Sequence, residues 1–163
     1  MTVKVGLPAI APADARLFIL GSLPGDASLA ARQYYAHPRN TFWKLVGGVV
    51  GEDLHGLHYD SRLAVLAANR IGLWDVVARA TRPGSLDQNI RDAGHNPLAE
   101  YLAGFPALEA VAFNGGVAAM AGRKLLATGP FTLIDLPSSS PANTRPLAEK
   151  AAAWNALKRY CGC

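Results

Sequence analysis

The sequence predicts an α/β fold: a three-layer α/β/α sandwich around a short, mainly parallel sheet of about four strands. Three observations carry this reading. Short continuous apolar runs recur along the chain, as in strands buried on both faces. Segments of helical spacing separate them. Each run ends in a polar loop rich in Gly, Pro or Ser, the arrangement of parallel strands whose carboxyl ends share one edge.

Met1–Asp14 is short and Pro-containing and reads as a loose lead-in. Arg16–Leu20 is the first strand, ending in Gly21-Ser22-Leu23-Pro24-Gly25. Ser28–Tyr35 is expected to be helical with Ser28 as its cap. Pro38 disfavours helix at His37, and Asn40 is placed to cap a helix over Thr41–Val50 that stops near Gly51. After a loop over Gly51–Tyr59, Ser61–Asn69 reads as a helix capped by Ser61. Ile71–Val77 is the second strand or an extended, strand-like segment, and Thr81–Asn89 (TRPGSLDQN) a polar loop. Pro97–Ala103 is helical, and Ala107–Phe113 is the third strand, turning at Asn114-Gly115-Gly116 into a helix over Val117–Leu126. Phe131–Leu136 is the fourth strand, followed by the loop Pro137–Asn143, and Leu147–Tyr160 closes the chain as an Ala-rich helix.

The 163 residues are read as one domain, 1–163. A chain of this length buries roughly 70% of its unfolded surface without staples. Half of the residues are apolar and only 17% charged, which suits a packed core rather than disorder. The net charge of +4 is compatible with nucleic acid as partner but does not demand it. Cys161 and Cys163, the only cysteines, read as reduced thiols and are too few for a four-cysteine cluster. The four scattered histidines make no metal set, so neither metal nor cofactor is expected. Without a signal peptide or an apolar run long enough to span a bilayer, no membrane association and a cytoplasmic location are expected. Phosphate-loop, dinucleotide-binding, nucleophile-elbow and zinc-deaminase motifs are all missing.

Four strand-end loops therefore gather on one edge: GSLPGD, the segment after WDVV, FNGG and LPSSSPANTR. The most unusual stretch follows the first of them. Ile19–Trp43 reads ILGSLPGDASLAARQYYAHPRNTFW. GSLPG followed by QYYAHPRNTFWK resembles the first motif region of the uracil-DNA glycosylase superfamily, and most nearly its hypoxanthine-DNA glycosylase branch. It is similar also to the mismatch-specific uracil glycosylases, whose pattern is GINPG and then HPxNxFWK. Leu136–Asn143 (LPSSSPAN) resembles the second motif. The resemblance implies a uracil-DNA glycosylase-like fold and a monofunctional DNA glycosylase. Its partner would be double-stranded DNA carrying a deaminated base, hypoxanthine or uracil, and the protein would act as a monomer.

The same resemblance assigns candidate residues. Asn40 would position the hydrolytic water; the other reading is that it only caps the helix at Thr41. The third position of the first motif, where many members hold a polar water-positioning residue, is the apolar Leu23. Tyr35 aligns with the aromatic on which the flipped base stacks, against a purely core role; Phe42 and Trp43 read as core. Gly21, Ser22 and Leu23 would approach the base, and Pro24 and Gly25 the adjoining phosphate. Asp75 lies where relatives carry a base-recognising group, or else caps a strand end. Asn114 either lines the pocket or makes an ordinary Asn-Gly turn. Pro137, Ser138, Ser139, Ser140 and Pro141 would hold phosphates; Arg145, Arg79, Arg82 and Arg91 could add contacts to them, and any one taken alone reads as a solvated charge. The apolar Leu23 and Leu136 keep a second class open, a damaged-DNA-binding module without catalysis, and a small-nucleotide hydrolase is a third.

Overall fold

The computed structural model describes residues 2–161. In chain order its strands are β1 (Val3–Val5), β2 (Leu17–Gly21), β3 (Ile71–Asp75), β4 (Val77–Thr81), β5 (Arg91–His95), β6 (Ala110–Asn114) and β7 (Thr132–Leu136). The α-helices are α1 (Asp26–Ala31), α2 (Phe42–Val50), α3 (Tyr59–Ala68), α4 (Leu98–Leu102), α5 (Gly116–Leu125) and α6 (Leu147–Trp154).

The main sheet runs β3-β2-β6-β7 with every pair parallel, as the sequence predicts. β2 and β6 are buried at all five positions each, which explains their unbroken apolar runs. Strand alternation sends Leu17 and Ile19 to one face, where they meet Phe42, Trp43 and Trp154 of α2 and α6. Phe18 and Leu20 go to the other, with Leu98, Leu102 and Ala118 of α4 and α5. The sheet is thus sandwiched between two helical layers. Gly122 of α5 lies directly on the Phe113 ring of β6, where a Cβ would overlap it.

A second sheet was not foreseen: β1, β4 and β5 form an antiparallel ribbon in the order β1-β4-β5. Two expectations change as a result, and one strand appears where no element was read. The lead-in is not loose, because Val3–Val5 pairs with Arg79–Thr81 and Ile10 bridges Leu73. Ile71–Val77 is not one strand; the chain leaves the main sheet after Asp75 and enters the ribbon at Val77. The segment after Asn89 carries β5, whose residues are mostly exposed and so lack an apolar signature.

The helices shift by a few residues. α1 starts at Asp26 after Gly25 and ends where Arg32 turns left-handed (φ 54°). Ser28 is therefore inside α1, and its hydroxyl accepts the Ala36 N–H instead of capping. α3 begins at Tyr59, ahead of the expected Ser61 cap. The last helix changes to a 3₁₀ turn over Asn155–Tyr160. Cys161 is a free thiol; Cys163, the other half of the expected pair, lies outside the described residues.

Candidate active site

The carboxyl edge of the main sheet opens into a cavity of about 400 Å³. Its walls come from the turn after β2, the Tyr34–Asn40 segment, the end of β3, the 3₁₀ turn Asp87–Asn89, Asn114 at the end of β6 and the Ser138–Ala142 loop. All four strand-end loops named from the sequence reach it. Of the predicted residues, Gly21, Ser22, Leu23, Pro24, Gly25, Tyr35, Asn40, Asp75 and Asn114 line the cavity, as do Ser138, Ser139, Ser140 and Pro141. Pro137 does not; its carbonyl accepts the Trp154 indole N–H at 2.9 Å beneath the loop. Arg145 is exposed and outside the cavity.

The floor is built by register. Gly21 of β2 pairs with Asp75 of β3, and only a residue without Cβ fits there. A Cβ on Gly21 would lie 2.6 Å from Asp75 Oδ1 and 3.0 Å from the Tyr35 hydroxyl. Asp75 is buried, and its Oδ2 has no hydrogen-bond partner, nor has the Tyr35 hydroxyl. Burial first, and then the nearby Asp87 carboxylate, push the Asp75 carboxyl up to about 7, with Arg82 opposing. Burial likewise raises the Tyr35 phenol well above its ordinary value, and the Asp75 charge adds to it, so Tyr35 stays protonated. Substituting Gly21→Ala is expected to displace Asp75 and to remove activity by about 100-fold while the fold persists; rate and melting temperature measured together check this.

Tyr35 sits at φ 54°, a left-handed conformation costly for a bulky residue and of the kind that collects at functional sites. Its ring stacks on Phe42 at 3.8 Å between centroids, with the planes 8° apart. The stack on Phe42 fixes the ring where Tyr35 lines the cavity. Phe42 and Trp43 are buried in the core, as expected. Tyr34 is also core: its hydroxyl donates to the Pro8 carbonyl at 2.9 Å and anchors the N-terminal segment.

Asn40 lines the cavity and caps at the same time. Thr41 holds the N-cap position, and Asn40 Oδ1, one residue earlier, accepts the Phe42 N–H at 3.0 Å and so satisfies the first amide of α2. A carbonyl oxygen has two lone pairs, so this bond still leaves one acceptor site. Ser139 holds the neighbouring walls together. It is almost fully buried, exchanges two 2.9 Å hydrogen bonds with the Asn114 side chain, and accepts the Thr41 N–H at 3.0 Å through its carbonyl. Lys150 of α6, also buried, donates to the carbonyls of Ser140 and Asn143 and braces the same loop from behind.

Leu23 lines the cavity, while its apolar side chain packs in a small cluster with Val77 and Ala80 of the ribbon. One expectation beside this turn is corrected. Arg82 is not a solvated charge: its guanidinium is fully buried and donates to the carbonyls of Leu23, Pro24 and Gly84. Asp87 was missed altogether. It sits in the TRPGSLDQN loop, lines the cavity, and accepts the Ser22 hydroxyl at 2.6 Å. An acidic residue in a polar loop carries no signal of its own; only the fold of the ribbon brings it to Ser22.

No lysine lines this cavity among the described residues, and no cluster of potential metal ligands occurs among them.

The profile of the uracil DNA glycosylase superfamily matches residues 8–158. The chain belongs to that superfamily. Within it, the chain is 42% identical over 157 residues to a hypoxanthine DNA glycosylase of Methanosarcina barkeri, covering 96% of this chain and 99% of the relative. A hypoxanthine DNA glycosylase of Methanosarcina acetivorans is 40% identical over 158 residues, with 97% and 99% covered. A Methanosarcina acetivorans chain solved by solution NMR superposes with a TM-score of 0.88 at 39% identity, covering 97% of this chain and 98% of that one. Superfamily membership and the α/β/α layering thus agree with the motifs read from Gly21–Trp43 and Leu136–Asn143.

Proposed function

We propose that this protein is a monofunctional DNA glycosylase that removes a deaminated base, hypoxanthine in preference and uracil as well, from double-stranded DNA. The observation that carries the reading is the cavity at the sheet edge. It combines a clamped aromatic, Tyr35, a buried carboxyl, Asp75, and the half-buried Asn40.

A base inside a duplex cannot reach such a cavity, so the nucleotide must flip out. The flipped base lies against Tyr35, where stacking contributes about 1–3 kcal/mol. The Ser138–Pro141 loop and the Pro24-Gly25 turn offer amides and hydroxyls to the flanking phosphates, positioning the strand without reading its sequence. The glycosidic bond then breaks through an oxocarbenium-like state, its electron pair leaving with the base. A water held by the free lone pair of Asn40 Oδ1 bonds to C1′ and its proton passes through solvent to the departing base, which leaves neutral, with an abasic site in the strand. With no lysine on the cavity wall among the described residues, a Schiff-base strand cleavage is not part of the scheme. The protein acts as a monomer in the cytoplasm.

Single-turnover assays on duplexes carrying one deoxyinosine, deoxyuridine or deoxyxanthosine test the reading. Release of hypoxanthine with an intact sugar–phosphate backbone is expected. Binding of damaged duplex without release of any base would instead make the protein a damage-binding module.

A further inference from the structure

Arg39 stands on the cavity wall and serves neither the hydrolytic scheme nor the packing. The acidic and basic side chains lining the cavity are Asp26, Asp75, Asp87, His37 and Arg39. Two more cations stand near the first turn, and both are engaged. Lys4 donates to Asp26 and to the Gly84 carbonyl at 2.6 Å each, and Arg82 to the carbonyls of Leu23, Pro24 and Gly84. Arg39 is exposed, and its guanidinium has no ion-pair or hydrogen-bond partner among the described residues.

Its backbone, by contrast, is held. Asn40 N–H donates to the His37 carbonyl and Arg39 N–H to His37 Nδ1, each at 3.0 Å, which closes the His37–Asn40 turn. Directly after it, Thr41 donates to the Ser139 carbonyl through its N–H at 3.0 Å and its hydroxyl at 3.1 Å. The turn and the Ser138–Ala142 loop are thereby fastened into one lip of the cavity. On the loop, the Ser138 and Ser140 hydroxyl oxygens accept the Ser140 and Ala142 N–H groups. Each hydroxyl keeps its own proton to donate. An unpaired guanidinium on a fixed turn, beside hydroxyl donors, suits a phosphodiester, which a guanidinium takes through parallel N–H···O bonds.

We propose that Arg39 seats a phosphate flanking the flipped nucleotide, at the seam between the His37–Asn40 turn and the Ser138–Ala142 loop. The inference rests on reading the cavity as the site of a flipped base, and it adds a cation to a scheme that holds the strand by neutral groups alone. The place follows from sign. The carboxyls of Asp26, Asp75 and Asp87 come from α1, β3 and the 3₁₀ turn. A polyanionic strand meets those walls at a cost and is favoured on the lip that carries Arg39. Arg39 also directly precedes Asn40, so a phosphate fixed there sets the adjoining sugar against the residue that holds the water.

Duplexes carrying 2′-fluorinated deoxyinosine, in which the fluorine suppresses cleavage, test this by anisotropy over a range of salt. Arg39→Gln is expected to weaken binding by about fivefold at roughly 0.1 M salt. The slope of log K against log salt should become shallower by about 0.9, the share of one phosphate. Arg39→Lys keeps the charge and should restore the slope, but only part of the affinity, because an ammonium lacks the fork. An uncharged methylphosphonate is then placed at each phosphate flanking the inosine in turn. At the seated phosphate, its effect and that of Arg39→Gln should overlap, the double change costing little more than either alone. At the other phosphate the losses should add. An unchanged slope in Arg39→Gln, a Lys variant with the Gln slope, or losses that add at both phosphates overturns the proposal. Base release from unfluorinated duplexes is measured alongside. Its absence with the phosphate coupling intact would sink the glycosylase reading and leave the Arg39 seat standing; release without the coupling would do the reverse.

Discussion

Asn40→Ala is expected to slow single-turnover release of hypoxanthine by about 10²–10³, the usual loss when one well-placed hydrogen-bonding group leaves a site of charge development. The same change also removes the cap on Phe42 N–H, so stability should drop by about 1 kcal/mol. The two losses are separable. Asn40→Ser restores a capping oxygen, being among the favoured residues at a helix start. It should therefore recover most of the melting temperature. Its hydroxyl is shorter and cannot reach the same water position, so the rate should remain low. A rate that returns with the melting temperature would reduce Asn40 to a cap and require another residue to hold the water.

Arg82→Met should be the most destabilising single change among the site's supports. The guanidinium lies fully buried behind the first turn and satisfies the carbonyls of Leu23, Pro24 and Gly84. Methionine fills much of the space but offers no donor, leaving the Leu23 and Pro24 carbonyls unpaired, while that of Gly84 keeps the Lys4 ammonium. The cost is about 3 kcal/mol, or a melting temperature lower by about 10 °C in a chain of this size. Base release should fall as well, since the turn that lines the cavity loses its anchor. Arg82→Lys should rescue little, because a single ammonium cannot reproduce the fork that spans the carbonyls. Thermal melts of both variants decide the matter: a Lys variant as stable as wild type would mean that charge, not the fork, holds the turn.

The main sheet was legible because its strands are buried on both faces, and burial writes itself as continuous apolar runs such as Leu17–Leu20 and Ala110–Phe113. The ribbon was not. β5 pairs through its backbone while its side chains face water, and Arg-Asp-Ala-Gly-His shows no alternation to find. That omission hid everything the ribbon positions. Arg82 reads as a surface charge unless β4 is known to carry it behind the first turn, and Asp87 reads as a loop residue. The cavity residues on the strand-end loops were legible because parallel topology alone gathers them at one edge. Which of them point inward was a different question. Leu23 turns into the ribbon cluster and Arg145 stays outside, and neither follows from spacing. Asn40 was posed as a choice between cap and catalyst; the observed geometry lets one carbonyl oxygen serve both.

The centre of the sheet has a consequence for how the protein comes into being. β2, made early, finds its neighbours β3 and β6 only much later in the chain, and β6 in turn waits for β7. Ser139, which fastens the Asn114 and Thr41 segments, is later still. At about 5–20 residues per second on the ribosome, the first half of the nascent chain must wait seconds without the partners that bury it. The excising surface cannot be complete before the Ser138–Ala142 loop is made, so an interrupted translation product carries the Gly21–Trp43 segment but lacks the far wall it needs to act on DNA.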